Sequence, residues 1–309
     1  MTLALRPPVI PPDALDITAI SSAHTLLVAL DFDGVIAPLQ DDPDSSAPLP
    51  ASADAVVALA ALPHTPVGYI SGRNIDVLQD LSNAPTGAIF IGSHGLETDF
   101  SALDPSNGST PNGSTSATAP AADGLPRYST PLTAAEADTL AQLDAAFESI
   151  RSRTPEAGHG ELRIERKPLG RTAHTRGTSA ERAAFFEAEL TALAARMPQL
   201  RSFAGHAMTE FAVRMETKGH GLARMLEATG ADAVVFLGDD TTDEDAFAYL
   251  NDRTDIASLP VKVGTQATCA PFRVADPEAV STFLARLAAD RGRHLGGGST
   301  GTSGPVSAS

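Results

Sequence analysis

The sequence predicts an α/β fold, a doubly wound parallel sheet that carries an inserted α+β domain. Short runs of β-branched and aliphatic residues recur along the chain, and each run ends in small or polar residues. Helical patterns separate these runs, and the middle third of the chain has a different, half-exposed pattern. Strand–helix alternation of this kind is typical of doubly wound sheets. The length of 309 residues is enough for two domains.

The apolar runs predict strands that are buried on both faces, because continuous runs of this length suit a parallel sheet. Ligands of such sheets bind beyond the carboxyl ends of the strands. Asp31, Ser71 and Asp239 follow three of these ends directly. The predicted strands cover residues 25–30, 67–70, 88–91, 233–237 and 261–263.

Helical patterns between the runs predict helices over residues 51–62, 75–81, 220–228 and 277–289. The middle third predicts a second kind of structure. Amphipathic helices are expected there over residues 133–150 and 179–196, and half-exposed strands over residues 161–167, 172–176 and 208–215. We therefore expect an α+β cap between two parts of the core.

The predicted core consists of residues 23–100 and 213–292, and the cap of residues 101–212. Within the cap, residues 101–127 are rich in Ser, Thr, Gly, Pro and Ala, which predicts a flexible segment. Both ends of the chain are expected to lack a fixed structure. Residues 1–22 are predicted to be a flexible tail, and the Gly/Ser-rich residues 293–309 a disordered one.

The net charge of −16 argues against nucleic acid or an anionic membrane as a partner, because both would repel the chain. It leaves an anionic small molecule open as a substrate, since a local cluster of cations can hold a phosphate on an acidic protein. The single cysteine, Cys269, excludes a disulfide within the chain and a Cys-based metal site. This cysteine usage suits a cytoplasmic location.

The strongest local motif is Ala-Leu-Asp-Phe-Asp-Gly, which ends the first predicted strand. In extended geometry Asp31 and Asp33 share a face, so both can reach one site. Two such carboxylates repel each other unless a cation or proton lies between them. One can then act as a nucleophile and the other as a general acid and base. The alternative interpretation is an ordinary pair of turn acids.

A second acidic motif follows a later strand, with five acids among the seven residues from Asp239 to Asp245. Such a run is costly unless it is solvated or binds a cation, and oxygen ligands favour Mg²⁺ over Zn²⁺. Asp239, at the strand end, is the predicted ligand. For Asp243, Glu244 and Asp245 the alternative is a helix N-terminus, where the helix dipole favours acids.

Two smaller motifs complete the predicted site. Ser71, Gly72 and Arg73 offer a hydroxyl and backbone N–H groups for phosphate oxygens. Lys218 precedes a predicted helix, and its ammonium could neutralise charge on a nucleophile and a phosphoryl group. Each motif alone is typical of a turn or a solvated lysine, so the combination and order of the motifs point to the site.

Taken in order, the D-x-D-G, S-G-R, K-G and G-D-D-x-T-D-E-D motifs resemble those of the haloacid dehalogenase-like hydrolase superfamily. The resemblance implies a Rossmann-like core that binds Mg²⁺ through Asp31, the backbone carbonyl of Asp33, and Asp239. It implies that Asp31 forms an aspartyl-phosphate. It also implies that Asp33 protonates the leaving alkoxide and then activates water.

The same resemblance implies that Ser71 and Lys218 hold the transferring phosphoryl group. It implies supporting roles in the metal site for Asp240 and Asp243. The chain departs from the family pattern at Val35, where a threonine often follows D-x-D-G. A hydroxyl near the site is therefore lost.

Further motifs resemble those of trehalose-6-phosphate phosphatases, which hydrolyse trehalose 6-phosphate to trehalose and inorganic phosphate. The resemblance spans roughly residues 25–289, most of the chain. It rests on the D-x-D-G and S-G-R motifs together with Gly-Ser-His-Gly-Leu-Glu at 92–97, Ile-Glu-Arg-Lys at 164–167, His-Thr-Arg at 174–176 and the acidic motif extended to Phe247.

The cap pattern fits a sugar ligand. Alternation places Glu165 and Lys167 on one face of a strand, where they offer an acceptor and a donor for hydroxyl groups. The resemblance assigns these two residues, with Glu210, to glucose hydroxyls. The alternative is a solvated face with cross-strand ion pairs. His94 is a further candidate near the substrate, and its alternative is a core or turn histidine.

Two other functions stay open at this point. A phosphatase of the same fold could act on a different sugar phosphate. A non-catalytic sugar-phosphate-binding protein could instead dock a trehalose-phosphate synthase, the protein partner that the resemblance suggests. The second alternative usually entails loss of the nucleophile or metal acids, and the sequence retains Asp31, Asp33, Lys218 and Asp239.

Overall fold

The computed structural model describes residues 6–103, 132–205 and 207–297. The chain divides into two compact units, and the predicted flexible segment lies largely outside the described residues. The first unit contains residues 1–128 and 217–309, and the second contains residues 129–216. No described helix combines the length and the apolar character that crossing a membrane requires.

The first unit is built on a seven-stranded mixed sheet in the order β11-β10-β9-β1-β2-β3-β4. Only β4 runs antiparallel to its neighbour among these strands. All five predicted strands are present, and the predicted α/β class is confirmed. The two three-residue edge strands, β4 and β11, were not predicted. The strands are β1 Leu26–Leu30, β2 Val67–Ile70, β3 Ile89–Gly92, β4 Glu97–Asp99, β9 Ala233–Gly238, β10 Ala257–Val263 and β11 Phe272–Val274.

Helices cover both faces of this sheet, which explains why the strand runs are apolar throughout. In β1, Val28 and Leu30 join an apolar cluster that includes residues of α2 and α8. Leu27 and Ala29 point the other way, into a cluster with residues of α6 and α7. The helices of this unit are α1 Thr18–Ser21, α2 Pro50–Ala60, α3 Ile75–Ser82, α6 Lys218–Thr229, α7 Glu244–Asn251 and α8 Pro277–Gly297.

The strand register brings the predicted site residues to one edge of the sheet. Leu30 of β1 is paired with Tyr69 of β2 and with Leu237 of β9. The next residues along these strands therefore emerge together at the carboxyl ends. The backbone N–H of Asp31 extends the ladder by donating to the carbonyl of Leu237 over 3.0 Å.

The N-terminal segment is packed against the core over residues 10–22, which corrects that part of the predicted flexible tail over residues 1–22. Leu15, Ile17 and Ile20 are at most 3% exposed. Arg286 of α8 donates to the carbonyl of Leu15, so the segment is held by hydrogen bonds as well as by apolar burial. The proline-rich sequence before this segment obscured the apolar spacing.

The C-terminal helix α8 continues to residue 297, which corrects the start of the predicted disordered tail at residue 293; residues 298–309 lie outside the described part. Arg291 in the last turns of α8 is fully buried. Its guanidinium donates to Thr65 Oγ1 and to the carbonyls of Ala23 and His64, at 2.7 to 2.9 Å. These bonds extend the ordered helix beyond the predicted end at residue 289.

The second unit is a four-stranded antiparallel sheet in the order β5-β6-β8-β7, packed against two helices. Helix α4 begins with a capping box between Thr133 and Glu136, and Ser179 caps α5. Both helices and three strands were predicted, whereas β7 was not, because its sequence Arg-Ser-Phe-Ala-Gly has little apolar alternation. The elements are α4 Ala134–Ser152, β5 Arg163–Lys167, β6 Gly170–His174, α5 Ala180–Arg196, β7 Arg201–Gly205 and β8 Met208–Ala212.

Candidate active site

A buried lysine joins two carboxylates at the centre of the site. Lys218 is the first residue of α6, whose N-terminus is capped by the Thr217 hydroxyl. Its Nζ donates to Oδ2 of Asp31 over 2.6 Å and to Oδ1 of Asp243 over 2.7 Å. All three charged side chains are at most 6% exposed. The sequence separates Lys218 from Asp31 by 187 positions, so only the fold brings them together.

Three carboxylates converge beside this lysine. Asp31, Asp239 and Asp243 each offer one oxygen, and these oxygens lie within 4.8 Å of one another. Because the neighbouring glycines have no side chains, the carboxylates can occupy the space beside them. A Cβ on Gly34, which has a φ of +74°, would lie 2.1 Å from Oδ2 of Asp239. A Cβ on Gly238 would lie 2.4 Å from Cγ of Asp243. Side chains at either position would displace the acids.

The three carboxylates of the cluster carry more negative charge than the single ammonium of Lys218 balances. Burial raises the pKa of Asp31 well above its usual range, and the charges of Asp243 and Asp239 raise it further, against the effect of Lys218. Burial and then the neighbouring Asp243 raise the pKa of Asp239 to about 7. Burial alone lowers the pKa of Lys218, but the carboxylates of Asp243 and Asp31 outweigh it and raise that pKa.

The cluster therefore fits a divalent cation. Three carboxylates against one ammonium leave an excess of negative charge in a buried place, and such charges are stable only when they are paired or bound to metal. The donor set consists of oxygen atoms, which suits a hard cation.

Of the two less definite metal candidates, the fold brings Asp243 into the cluster and leaves the Asp240 carboxylate outside it. Oδ1 of Asp240 accepts from the backbone N–H of Thr241 over 2.7 Å. The Asp240 carbonyl accepts from Nζ of Lys262 over 3.1 Å. Lys262 is completely buried and was not predicted as part of the site. Lys262 lies inside β10 within a short apolar run, so its local sequence does not indicate a role in the site.

The Asp33 side chain is likewise outside the three-carboxylate cluster. Arg73 holds it through two hydrogen bonds, from Nε to Oδ2 at 2.6 Å and from Nη2 to Oδ1 at 2.8 Å. The Ser46 hydroxyl also donates to Oδ1, over 2.9 Å. The sequence predicts Arg73 as a substrate contact, whereas in the structure its guanidinium pairs with Asp33. Ser46 was missed, because nothing in its local sequence marks it.

Ser71 and Gly72 lie directly after β2. Ser71 is buried, and its Oγ accepts from the backbone N–H of Arg73 over 3.2 Å. The His94 ring packs against Gly72, where an added Cβ would lie 2.4 Å from Cε1 of the histidine. His94 has a φ of +55° and donates its backbone N–H to the Ser71 carbonyl. His94 thus contacts the Ser71–Gly72 turn through its ring and through a backbone hydrogen bond.

In the second unit, the polar face of the sheet presents the predicted sugar-binding residues. Strand register aligns Glu165, Thr172 and Glu210 across β5, β6 and β8. Nζ of Lys167 donates to Oε2 of Glu210 over 2.7 Å, and both side chains are buried. Glu165 bonds to His174 over 3.0 Å, and this contact lowers the pKa of Glu165 despite partial burial. The fold therefore joins these acceptors and donors into two pairs on one face.

Comparison with known proteins identifies the family. The sequence profile described as Trehalose-phosphatase matches residues 29–278, which include every site residue named above. The chain belongs to the trehalose-phosphatase family. Among curated relatives, the trehalose-phosphate phosphatase of Mycobacterium leprae is 31% identical over 297 residues. That alignment covers 90% of this chain and 61% of the relative, so the chain spans about three fifths of the relative's length.

Solved structures share the fold of this trehalose-phosphatase family member. The C-terminal domain of the Candida albicans trehalose-6-phosphate phosphatase superposes with a TM-score of 0.70 at 21% identity, covering 93% of this chain and 99% of that domain. A haloacid dehalogenase-like hydrolase from Bacillus subtilis superposes with a TM-score of 0.52 at 15% identity, covering 84% and 98%. The predicted α/β core with a cap agrees with the fold of these neighbours.

Proposed function

We propose that the chain is a Mg²⁺-dependent phosphatase that hydrolyses trehalose 6-phosphate to trehalose and inorganic phosphate. The observation that supports it most directly is the Asp31–Lys218 contact of 2.6 Å beside Asp239 and Asp243, in a chain of the trehalose-phosphatase family. A buried carboxylate at a strand end, held by an ammonium, is suited to act as a nucleophile. The same ammonium offsets charge on a transferring phosphoryl group.

In the first step, a carboxylate oxygen of Asp31 attacks phosphorus and the bond from phosphorus to the sugar oxygen breaks. The sugar oxygen takes a proton from Asp33, and the sugar leaves as the free alcohol. Lys218 and the Ser71 hydroxyl hold the phosphoryl oxygens, with the backbone N–H groups around Gly72. This step leaves an aspartyl-phosphate on Asp31.

In the second step, water attacks the same phosphorus and gives a proton to Asp33, while the bond to Asp31 breaks. Inorganic phosphate leaves, and both carboxyl groups return to their starting states. Asp31, Asp239 and Asp243, with the backbone carbonyl of Asp33, would hold Mg²⁺. When bound, the ion supplies positive charge against the phosphoryl oxygens.

Sugar recognition belongs to the polar face of the second unit. Glu165 and Glu210 offer acceptors and Lys167 offers a donor, and their existing pairs keep the charges satisfied when no sugar is bound. This pairing favours a ligand rich in hydroxyl groups, because each hydroxyl can both donate and accept a hydrogen bond. We further propose a cytoplasmic location and a trehalose-phosphate synthase as a protein partner, on the sequence grounds given above.

The test measures phosphate release from trehalose 6-phosphate, glucose 6-phosphate, sucrose 6-phosphate and p-nitrophenyl phosphate. Each ester is assayed with Mg²⁺, with EDTA, and with the Asp31→Asn variant. Mg²⁺-dependent release from trehalose 6-phosphate that is absent in Asp31→Asn supports the proposal. Preference for another sugar ester would retain the chemistry and reject the assigned substrate. Failure to release phosphate from any ester would favour the non-catalytic alternative.

A further inference from the structure

The loop that follows the first strand reaches back to the carboxylate of Asp33. Residues 43–46 form a short 3₁₀ turn, Pro43–Ser45, followed by Ser46. Arg73 binds this loop and Asp33 at once, because Nη2 donates to the Pro43 carbonyl and to Oδ1 of Asp33, both over 2.8 Å. Ser46 is 3% exposed, so its hydroxyl is held inside this network.

The direction of the Ser46 hydrogen bond follows from the chemistry of its neighbours. Nη2 of Arg73 approaches Ser46 Oγ at 3.0 Å, so its two N–H groups are shared among Ser46 Oγ, Oδ1 of Asp33 and the Pro43 carbonyl, and a guanidinium can only donate. The hydroxyl therefore accepts from Arg73 and directs its own proton to Oδ1 of Asp33 at 2.9 Å. Ser46 thus connects the cation to the acid through a polarised chain of two hydrogen bonds.

The two oxygens of Asp33 are consequently not equivalent. Oδ1 accepts one hydrogen bond from Ser46 and one from Nη2 of Arg73. Together these two bonds occupy both lone-pair directions of Oδ1. Oδ2 accepts only from Nε of Arg73 within the described residues, at 2.6 Å. A lone pair of Oδ2 is left to carry and transfer a proton.

We propose that Ser46 is a positioning residue for Asp33, which it orients so that Oδ2 is the oxygen that exchanges protons with the leaving group and with water. The inference rests on the proposed function, in which Asp33 is the general acid and base. Without Ser46, one lone pair of Oδ1 is free, and the carboxyl group can place its proton on either oxygen. The acid would then spend part of its time in an unproductive arrangement.

A comparison of two esters distinguishes this role from simple packing of the loop. The alkoxide of trehalose is a poor leaving group and needs a proton, whereas p-nitrophenolate leaves without one. The parameter kcat/KM reports all steps up to the breaking of the ester bond. Impaired proton donation by Asp33 should therefore lower kcat/KM for the sugar ester and leave kcat/KM for p-nitrophenyl phosphate unchanged. A fault in overall structure affects both esters.

The experiment measures kcat/KM on both esters for the wild type and for Ser46→Ala, Ser46→Thr and Ser45→Ala. We expect Ser46→Ala to lose about tenfold on trehalose 6-phosphate, the equivalent of one hydrogen bond to a charged group, and less than about twofold on p-nitrophenyl phosphate. Ser46→Thr keeps the hydroxyl and should retain activity. Ser45→Ala is the matched control, because the Ser45 hydroxyl bonds to the Asp42 carbonyl.

Equal losses on the two esters, or no loss on either, would overturn the proposal. If Ser46→Ala does not fold, Ser46→Cys keeps the size and weakens the donor, and the same difference between the esters is expected. Asp33→Asn separates this inference from the proposed function. An Asp33→Asn variant as active as the wild type on trehalose 6-phosphate would reject Asp33 as the acid. A defective Asp33→Asn with a normal Ser46→Ala would reject the role of Ser46 alone.

Discussion

Nζ of Lys218 lies 2.6 Å from Oδ2 of Asp31, and both side chains are almost completely removed from solvent. Two charges in such a place stabilise the fold only as a pair, because each would be costly to bury alone. The same contact keeps the Asp31 carboxylate at the carboxyl end of β1, where the proposed reaction needs it. The stability of this buried cluster and the proposed chemistry therefore share one ion pair.

Removal of Lys218 should destabilise the protein and abolish phosphate release. We expect Lys218→Met to lower the free energy of unfolding by about 3–5 kcal/mol, because it leaves Asp31 and Asp243 buried without a cation. Urea denaturation in EDTA measures this cost. In an Asp31→Asn background the same substitution should cost at least about 1 kcal/mol less, since the pair is already broken. Identical costs in both backgrounds would contradict the coupling.

Neighbouring acids of the G-D-D motif should differ in their effect on cation binding. Asp239→Asn removes a carboxylate of the cluster, and we expect Mg²⁺ affinity measured by calorimetry to fall by about tenfold or more. Asp240→Asn is the matched control, because this side chain bonds to Thr241 N–H and stands outside the cluster. Its affinity should stay within about threefold of the wild type. An effect of Asp240→Asn as large as that of Asp239→Asn would exclude the assigned ligand set.

The Glu136–Arg214 ion pair should contribute a pH-dependent part of the stability. The hydrogen bond from Arg214, at 2.8 Å, is the main cause that lowers the pKa of Glu136 to about 2 from an ordinary 4.5. A carboxyl whose pKa is lowered on folding stabilises the protein above its unfolded pKa. This contribution is lost as the pH falls through the folded pKa.

We expect Glu136→Gln to lower the free energy of unfolding at pH 7 by about 1 kcal/mol, a value reduced for partial exposure. The difference from the wild type should shrink between pH 4.5 and pH 2, as measured by urea denaturation. Glu148→Gln is the control, because Glu148 is exposed and its partner Arg151 is partly exposed. A constant difference across this pH range would rule out the ion pair as the source.

The proposed sugar face predicts an effect that depends on the substrate. Glu165→Ala should lower kcat/KM for trehalose 6-phosphate by about tenfold, the loss expected for a hydrogen-bonded charged group, and leave p-nitrophenyl phosphate within about twofold. Glu161→Ala is the matched control, because Glu161 is exposed and precedes β5. Equal losses on both esters would show that Glu165 supports the fold and does not recognise the sugar.

Several parts of the structure could be predicted because their causes are local. The strand β1 is apolar at each position, and the alternating members of Leu26–Leu30 supply both faces of the sheet. Its end at Asp31 follows from the change to polar residues. The start of α4 at Thr133 follows from a capping box that is visible in the sequence. The burial of the apolar residues Leu15, Ile17 and Ile20 was not predicted. The surrounding prolines indicated a flexible tail instead.

The sequence by itself determined the α/β class, the cap, the strand ends and the acids that follow them, because each depends on neighbouring residues. Only the tertiary structure decided which polar groups meet. It selected Asp243 over Asp240 for the cluster, and it paired Arg73 with Asp33. It also placed Ser46 on Asp33 across 13 positions of sequence. Such contacts depend on loop paths and side-chain directions over a few ångströms, and hydrogen bonds form only where that geometry is met.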